Sequence, residues 1–149
     1  VFLDSVEMMA AALEVPLDEV RFDVEFGTAR KDLDLGYMKI PRGTVCGLKG
    51  VWRGITNGKS IIELGLCWRL GDAMDPDWPV EEGYVIEVDG VPSVRARYAI
   101  HYPESLTDFG VATANPAVNA IRAVVAAKPG LVTADQLPLV TAAGFVATR

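Results

Sequence analysis

Apolar residues change their spacing several times along the chain, and each change marks an element. Val6, Met9, Ala10 and Leu13 recur at helical intervals. Asp4 and Ser5 precede the run as N-cap types and Pro16 stops it, which predicts a short amphipathic helix. The period then drops to two: Val20, Phe22, Val24 and Phe26 alternate with Arg21, Asp23 and Glu25, the pattern of a strand with one buried face. Residues 30–43 mix charges with Gly36, Pro41 and Gly43, keep no period and read as a long loop.

Two strand-like runs follow between Thr44 and Leu70, hinged at Asn57-Gly58, a dipeptide suited to the positive φ angles of a type I′ hairpin turn. With those two residues as the loop, Trp52 stands opposite Glu63. One face then carries Ile62, Leu64, Leu66, Trp68 and Leu70. The other carries Cys46, Leu48, Gly50, Trp52 and Gly54 with Ile61, Glu63, Gly65, Cys67 and Arg69. A second hairpin follows an acidic, turn-rich connection. A two-residue Asp89-Gly90 loop would set Ile86 and Val88 beside Arg95 and Arg97. A loop one residue longer puts Tyr84, Ile86 and Val88 on one face with Pro92, Val94, Ala96, Tyr98 and Ile100, and this alignment is expected because a one-residue slip exchanges the faces. Residues 114–130 predict a helix, with Asn115 as N-cap, Pro116 at the first helical position and Lys128-Pro129-Gly130 as the stop. The remaining tail is apolar but broken by Pro138 and Gly144. Together these elements predict an α+β fold, with a largely antiparallel or mixed sheet of about five strands and helices packed on one face.

Composition narrows the class. The chain has 149 residues, enough for one domain with a core. It is 50% hydrophobic and 23% charged, too apolar for a disordered segment, and has no continuous apolar run of the ~20 residues a spanning helix requires. A net charge of −6 disfavours nucleic acid, whose affinity comes from clustered Lys and Arg. Two cysteines make no disulfide framework and the first residues carry no signal-peptide pattern, so a reducing cytoplasm is expected. The chain opens with Val1 already inside a helical pattern, which reads as a piece of something longer.

Most catalytic signatures are missing. There is no GxGxxG and no GxxxxGK[ST] loop. One histidine, His101, and no CxxC give no metal-site arithmetic. Cys46 and Cys67 are expected on one sheet face, offset diagonally, as small apolar groups. Trp52, Glu63 and Arg69 share the face on which Gly50, Gly54 and Gly65 remove side chains. Glycine inside a strand marks close approach of a ligand or another backbone, and a dimer contact or an open edge would serve as well. A carboxylate beside a tryptophan can recognise an ammonium group. On the predicted helix, Asn115, Asn119 and Arg122 form a stripe opposite Val118, Ile121, Val124 and Val125. A solvent-facing stripe is normally built from Glu, Lys and Gln. Two asparagines near a helix start, where unpaired N–H groups lie, also suit a carboxamide or phosphate. Both readings stand at this point.

Three stretches, "SVEMMAAALEVPLDEV", "IPRGTVCGLKGVWRGITNGKSIIEL" and "TANPAVNAIRAVVAAKPGLVTADQLPLV", occur in an order that resembles the C-terminal part of the 2,4-diaminopentanoate dehydrogenases and related native amine dehydrogenases, relatives of dihydrodipicolinate reductase. The resemblance implies a C-terminal α+β domain whose sheet builds a dimer interface and part of a substrate pocket, following an N-terminal Rossmann domain that binds NAD(P)H and supplies a key carboxylate. It implies that residues 1–149 are one truncated substrate-binding and dimerisation domain, inactive without the Rossmann domain. The implied reaction reduces an imine formed from a carbonyl compound and ammonia, or deaminates the amine oxidatively. On this reading Trp52, Glu63 and Arg69 belong to pocket or interface, and Asn115 and Asn119 face the nicotinamide side. The implied partners are a second copy, the missing domain and a small-molecule substrate, with no nucleic acid and no membrane. A missing strand would leave a sheet edge in need of a partner. The competing reading is a freestanding, non-catalytic α+β module that binds a small hydrophobic ligand.

Overall fold

The computed structural model describes residues 2–80, 82–101 and 110–139. Residues 102–109 and the tail beyond Leu139, including Gly144, lie outside the described residues. The chain divides into two compact units, Val1–Ala99 and Ile100–Arg149.

In the first unit, α1 (Phe2–Ala12) is followed by β1 (Glu19–Ala29), β2 (Leu33–Asp34), β3 (Lys39–Ile40), β4 (Val45–Thr56), β5 (Lys59–Arg69), β6 (Met74–Asp75), β7 (Tyr84–Val88) and β8 (Val94–Tyr98). An antiparallel sheet in the order β5-β4-β1-β6 forms the body, and β2-β3 and β7-β8 are separate two-stranded pairs. The α+β class is as expected. Among the described residues the large sheet has four strands, and β7 and β8 pair with each other.

Helix α1 starts at Phe2, before the expected caps, so Asp4 lies in the first turn, where a carboxylate meets the positive end of the dipole. Its end is a Schellman closure. The Glu14 amide donates to the Ala11 carbonyl at 3.1 Å and the Val15 amide to the Ala10 carbonyl at 3.0 Å, with Glu14 in the left-handed region at φ 55°. Pro16 then blocks continuation. Val6 and Ala10 are buried against Ile62, with Met9, Leu17, Val20, Trp52 and Leu64 around them.

Register decides which residues share a sheet face. Across β1, β4 and β5, Phe22 pairs with Trp52 and Trp52 with Leu64, Val24 with Gly50 and Gly50 with Leu66, Phe26 with Leu48 and Leu48 with Trp68. One face is therefore apolar throughout, and α1 covers only the end near Val20, Gly54 and Ile62. A Cβ at Gly54 would meet Val6 at 3.0 Å and Leu17 at 3.1 Å, so this glycine lets the helix approach. Phe22 stacks on Trp52 with ring centroids 4.3 Å apart, and Phe2 caps the same indole at 4.8 Å. Farther along the face, Phe22, Val24, Phe26 and Trp68 are exposed.

A second core gathers Ala29, Leu33, Ile40, Cys46 and Met74, with Leu35, Ala73 and Trp78 packed against it. The segment expected to be a periodless loop forms the β2–β3 hairpin here, pairing Leu33 with Ile40. Gly36 turns it at φ 81°, and its amide donates to Asp34 Oδ1 at 3.0 Å. Two inward residues are too few to leave a readable period. In the β7–β8 hairpin, Tyr84 pairs with Tyr98, Ile86 with Ala96 and Val88 with Val94: the expected residues share a face, but residues 89–93 form a loop two residues longer than the expected one, so each partner lies two positions further along β8.

The second unit contains α2 (Gly110–Ala126) and a 3-10 turn at Ala134–Gln136. Helix α2 begins five residues before Asn115, and Pro116 sits inside it. Asn115 is thus not the N-cap. Inside a helix proline removes one amide donor and crowds the carbonyl four residues earlier, at a cost of about 3 kcal/mol, and α2 continues through it.

Candidate functional site

The expected grouping of Trp52, Glu63 and Arg69 is not formed. The turn is the expected one, with Asn57 at φ 50°, Gly58 at φ 73° and Thr56 paired with Lys59. A bulge follows at once: Ile55 pairs with Ser60 but Gly54 with Ile62, leaving Ile61 as an extra residue. One unpaired residue shifts every later partner and exchanges the faces. Trp52 therefore lies on the apolar face, opposite Leu64, and Arg53 takes the place beside Glu63.

On the other face the charges are matched. Arg53 Nε donates to Glu63 Oε1 at 3.0 Å, and its Nη1 donates to Asp23 Oδ2. Ser60 Oγ adds a hydrogen bond to Glu63 at 3.2 Å. Lys49 pairs with Glu25 at 3.5 Å. Glu63 is thus held in a carboxylate–guanidinium–carboxylate row, and its pairing with Arg53 favours a solvated ion-pair surface over an isolated ammonium receptor. Arg53 was not singled out from the sequence, since only the bulge brings it level with Glu63.

Arg69 is drawn inward. Its Nη1 donates to Asp77 Oδ1 at 2.9 Å and to the Trp78 carbonyl at 2.8 Å, and its Nε donates to the Gly71 carbonyl at 3.2 Å. It also lines a cleft of about 870 Å³ at the end of β4 and β5, where Leu48, Leu66 and Trp68 face Val80 and Tyr84. Glu82 lines the same cleft, as do both cysteines. Cys46 is the extra residue of a second bulge, between β4 and β1, and is buried, whereas Cys67 stands opposite Lys49 on the charged face.

The glycines divide by cause. Gly50 makes room for the Phe22–Trp52 stack, with ring atoms 3.1 and 3.2 Å from where its Cβ would be. Gly65 has open space, and it borders the cleft. On α2, Asn115, Asn119 and Arg122 are exposed, and so are Val118, Ile121, Val124 and Val125. His101 is exposed, and no group of His, Cys, Asp and Glu suited to a metal ion occurs among the described residues.

A family model described as the 2,4-diaminopentanoate dehydrogenase C-terminal domain matches residues 1–147. The chain belongs to this family. As a member of the 2,4-diaminopentanoate dehydrogenase C-terminal domain family, it is also similar to an amine dehydrogenase of Streptomyces virginiae, 32% identical over 151 residues, covering 93% of this chain and 41% of that protein. It thus spans about two fifths of the length of that relative. An amine dehydrogenase structure from Mycobacterium smegmatis shares the fold, with a TM-score of 0.63 at 20% identity over 91% of this chain and 38% of the other. An oxidoreductase domain is the class these matches support. Among the described residues, no helix is long and apolar enough to cross a membrane.

Proposed function

We propose that this chain is the substrate-binding and dimerisation part of a cytoplasmic, NAD(P)H-dependent oxidoreductase acting on amine or imine substrates. The observation that carries the reading is the division of the β1–β4–β5 sheet. One face is apolar on every strand, while Asp23, Glu25, Lys49, Arg53 and Glu63 occupy the other. An apolar face this continuous, left uncovered at Phe22, Val24, Phe26 and Trp68, marks an interaction surface. A second copy laid on it would form the homodimer. The cleft at the end of β4 and β5 shares Leu48, Leu66 and Trp68 with that face and takes the apolar body of the substrate.

The nucleotide belongs elsewhere. Asn115 and Asn119 lie one turn apart on α2 and both are exposed, a spacing suited to a carboxamide. They lie in the second turn or beyond, away from the unpaired N–H groups that hold phosphates. The sequence also has no glycine-rich phosphate loop, so these residues do not fit the task of holding a dinucleotide. In the complete enzyme NAD(P)H would supply a hydride for reduction of an imine and NAD(P)+ would accept one from an amine; this chain shapes the space around the substrate carbon.

The test compares the chain with the complete protein. Calorimetry is expected to register NADPH binding by the complete protein and none by residues 1–149, and only the complete protein is expected to reduce a nicotinamide coenzyme with an amine. Tight NADPH binding by residues 1–149, or turnover by them, would contradict the reading.

A further inference from the structure

Two pins hold the segment between β5 and β7 against the sheet. The first is Met74, fully buried where Gly27 and Gly47 face each other, the space a Cβ at either position would occupy. The second is Arg69. Its side chain is only 19% exposed, and its contacts to the Gly71 carbonyl, to Asp77 and to the Trp78 carbonyl tie the start of the segment to its middle. Asp77 is steadied from the opposite side by Arg30 at 3.5 Å. Just past Trp78, the chain supplies Val80 and Tyr84, the wall of the cleft that faces Leu66 and Trp68.

We propose that Arg69, together with Asp77, is a positioning residue for this cleft: it fixes the separation of the two walls and does not itself bind the ligand. The inference rests on the reading of the cleft as the substrate side of the enzyme. Three of its five N–H donors, on Nε and Nη1, are engaged with the protein, so turning the guanidinium toward a ligand would leave two carbonyls and a carboxylate without it. The planar fork is what the geometry requires, since one side chain reaches three acceptors through two nitrogens. Lysine offers a single point charge on a flexible stem and cannot reproduce this. Removing the latch does not unfold the segment, because Met74 and the hydrogen bond from the Arg30 amide to the Ala73 carbonyl, at 2.9 Å, still hold its first half. The loss falls on the second half, which carries the wall.

In the complete enzyme, Arg69→Lys and Asp77→Asn are each expected to raise KM for an apolar amine about 5–20-fold with kcat within about twofold, because the wall holds the apolar body alike in ground and transition states and its displacement removes uniform binding. The double variant is expected to be no worse than the more severe single one, since both remove the same contact. Hydrogen exchange on residues 1–149 supplies a readout independent of turnover: amides of residues 77–83 are expected to exchange about tenfold faster in both variants, with residues 71–75, β4 and β5 unchanged. If Arg69 binds the ligand directly, Asp77→Asn frees the guanidinium, KM does not rise and the double variant is additive, which overturns the proposal. Unchanged exchange, or faster exchange with unchanged KM, overturns it as well. A complete wild-type enzyme with no amine turnover defeats the functional reading, and the exchange result alone then decides the latch.

Discussion

Gly27 and Gly47 face each other across β1 and β4, and Met74 fills the space between them. Because Met74 is fully buried, it has no direction in which to yield. Gly47→Ala is expected to destabilise the protein by about 1–3 kcal/mol, as overpacking does in a filled core. Gly65→Ala, with open space around it, should change stability by less than about 0.5 kcal/mol. Urea denaturation of the two variants makes the comparison, and equal effects would mean that Met74 does not occupy the notch. From the sequence, all in-strand glycines look alike as marks of close approach. That inference holds at Gly54, where the approaching group is α1, and at Gly50, where it is an aromatic ring. A strand glycine reports room, and only the fold says what occupies it.

At the scale of elements, the hairpin between β4 and β5 separates what was legible from what was not. Asn57-Gly58 is written in the chain, because few residues other than Gly and Asn adopt positive φ without strain. Gly58→Val is therefore expected to cost about 1–2 kcal/mol although no atom lies near its missing Cβ, while Asn57→Gly is expected to be close to neutral. Thermal unfolding of both variants checks this, and a harmless Gly58→Val would refute the turn. The bulge at Ile61 has no such signature. The stretch Lys59-Ser60-Ile61-Ile62-Glu63 reads equally well in two registers, and the one-residue difference separated Trp52 from Glu63. The faces of the second hairpin were legible because its alternation is strong on both strands. The start of α2 was not, since Asn115-Pro116 is as good a beginning in sequence as any, and the preceding turn is built from small residues.

At the scale of the molecule, the sheet carries a chemical asymmetry that its strand patterns state plainly. Alternation in β1 was legible and so was the sign of each face, but burial was not. Phe26 is 54% exposed, because α1 is only 11 residues long and reaches just one end of the sheet. Exposed aromatic residues on a continuous apolar face are costly in water, and burying each would contribute about 1.5–3 kcal/mol. The proposed homodimer supplies that burial. Sedimentation equilibrium of residues 1–149 at micromolar concentrations, with the Val24→Lys/Phe26→Glu variant alongside, tests the claim most directly. The account predicts a dimer for the wild-type chain and a monomer with an unchanged far-ultraviolet circular dichroism spectrum for the variant. A wild-type monomer, or a variant that stays dimeric, would contradict it.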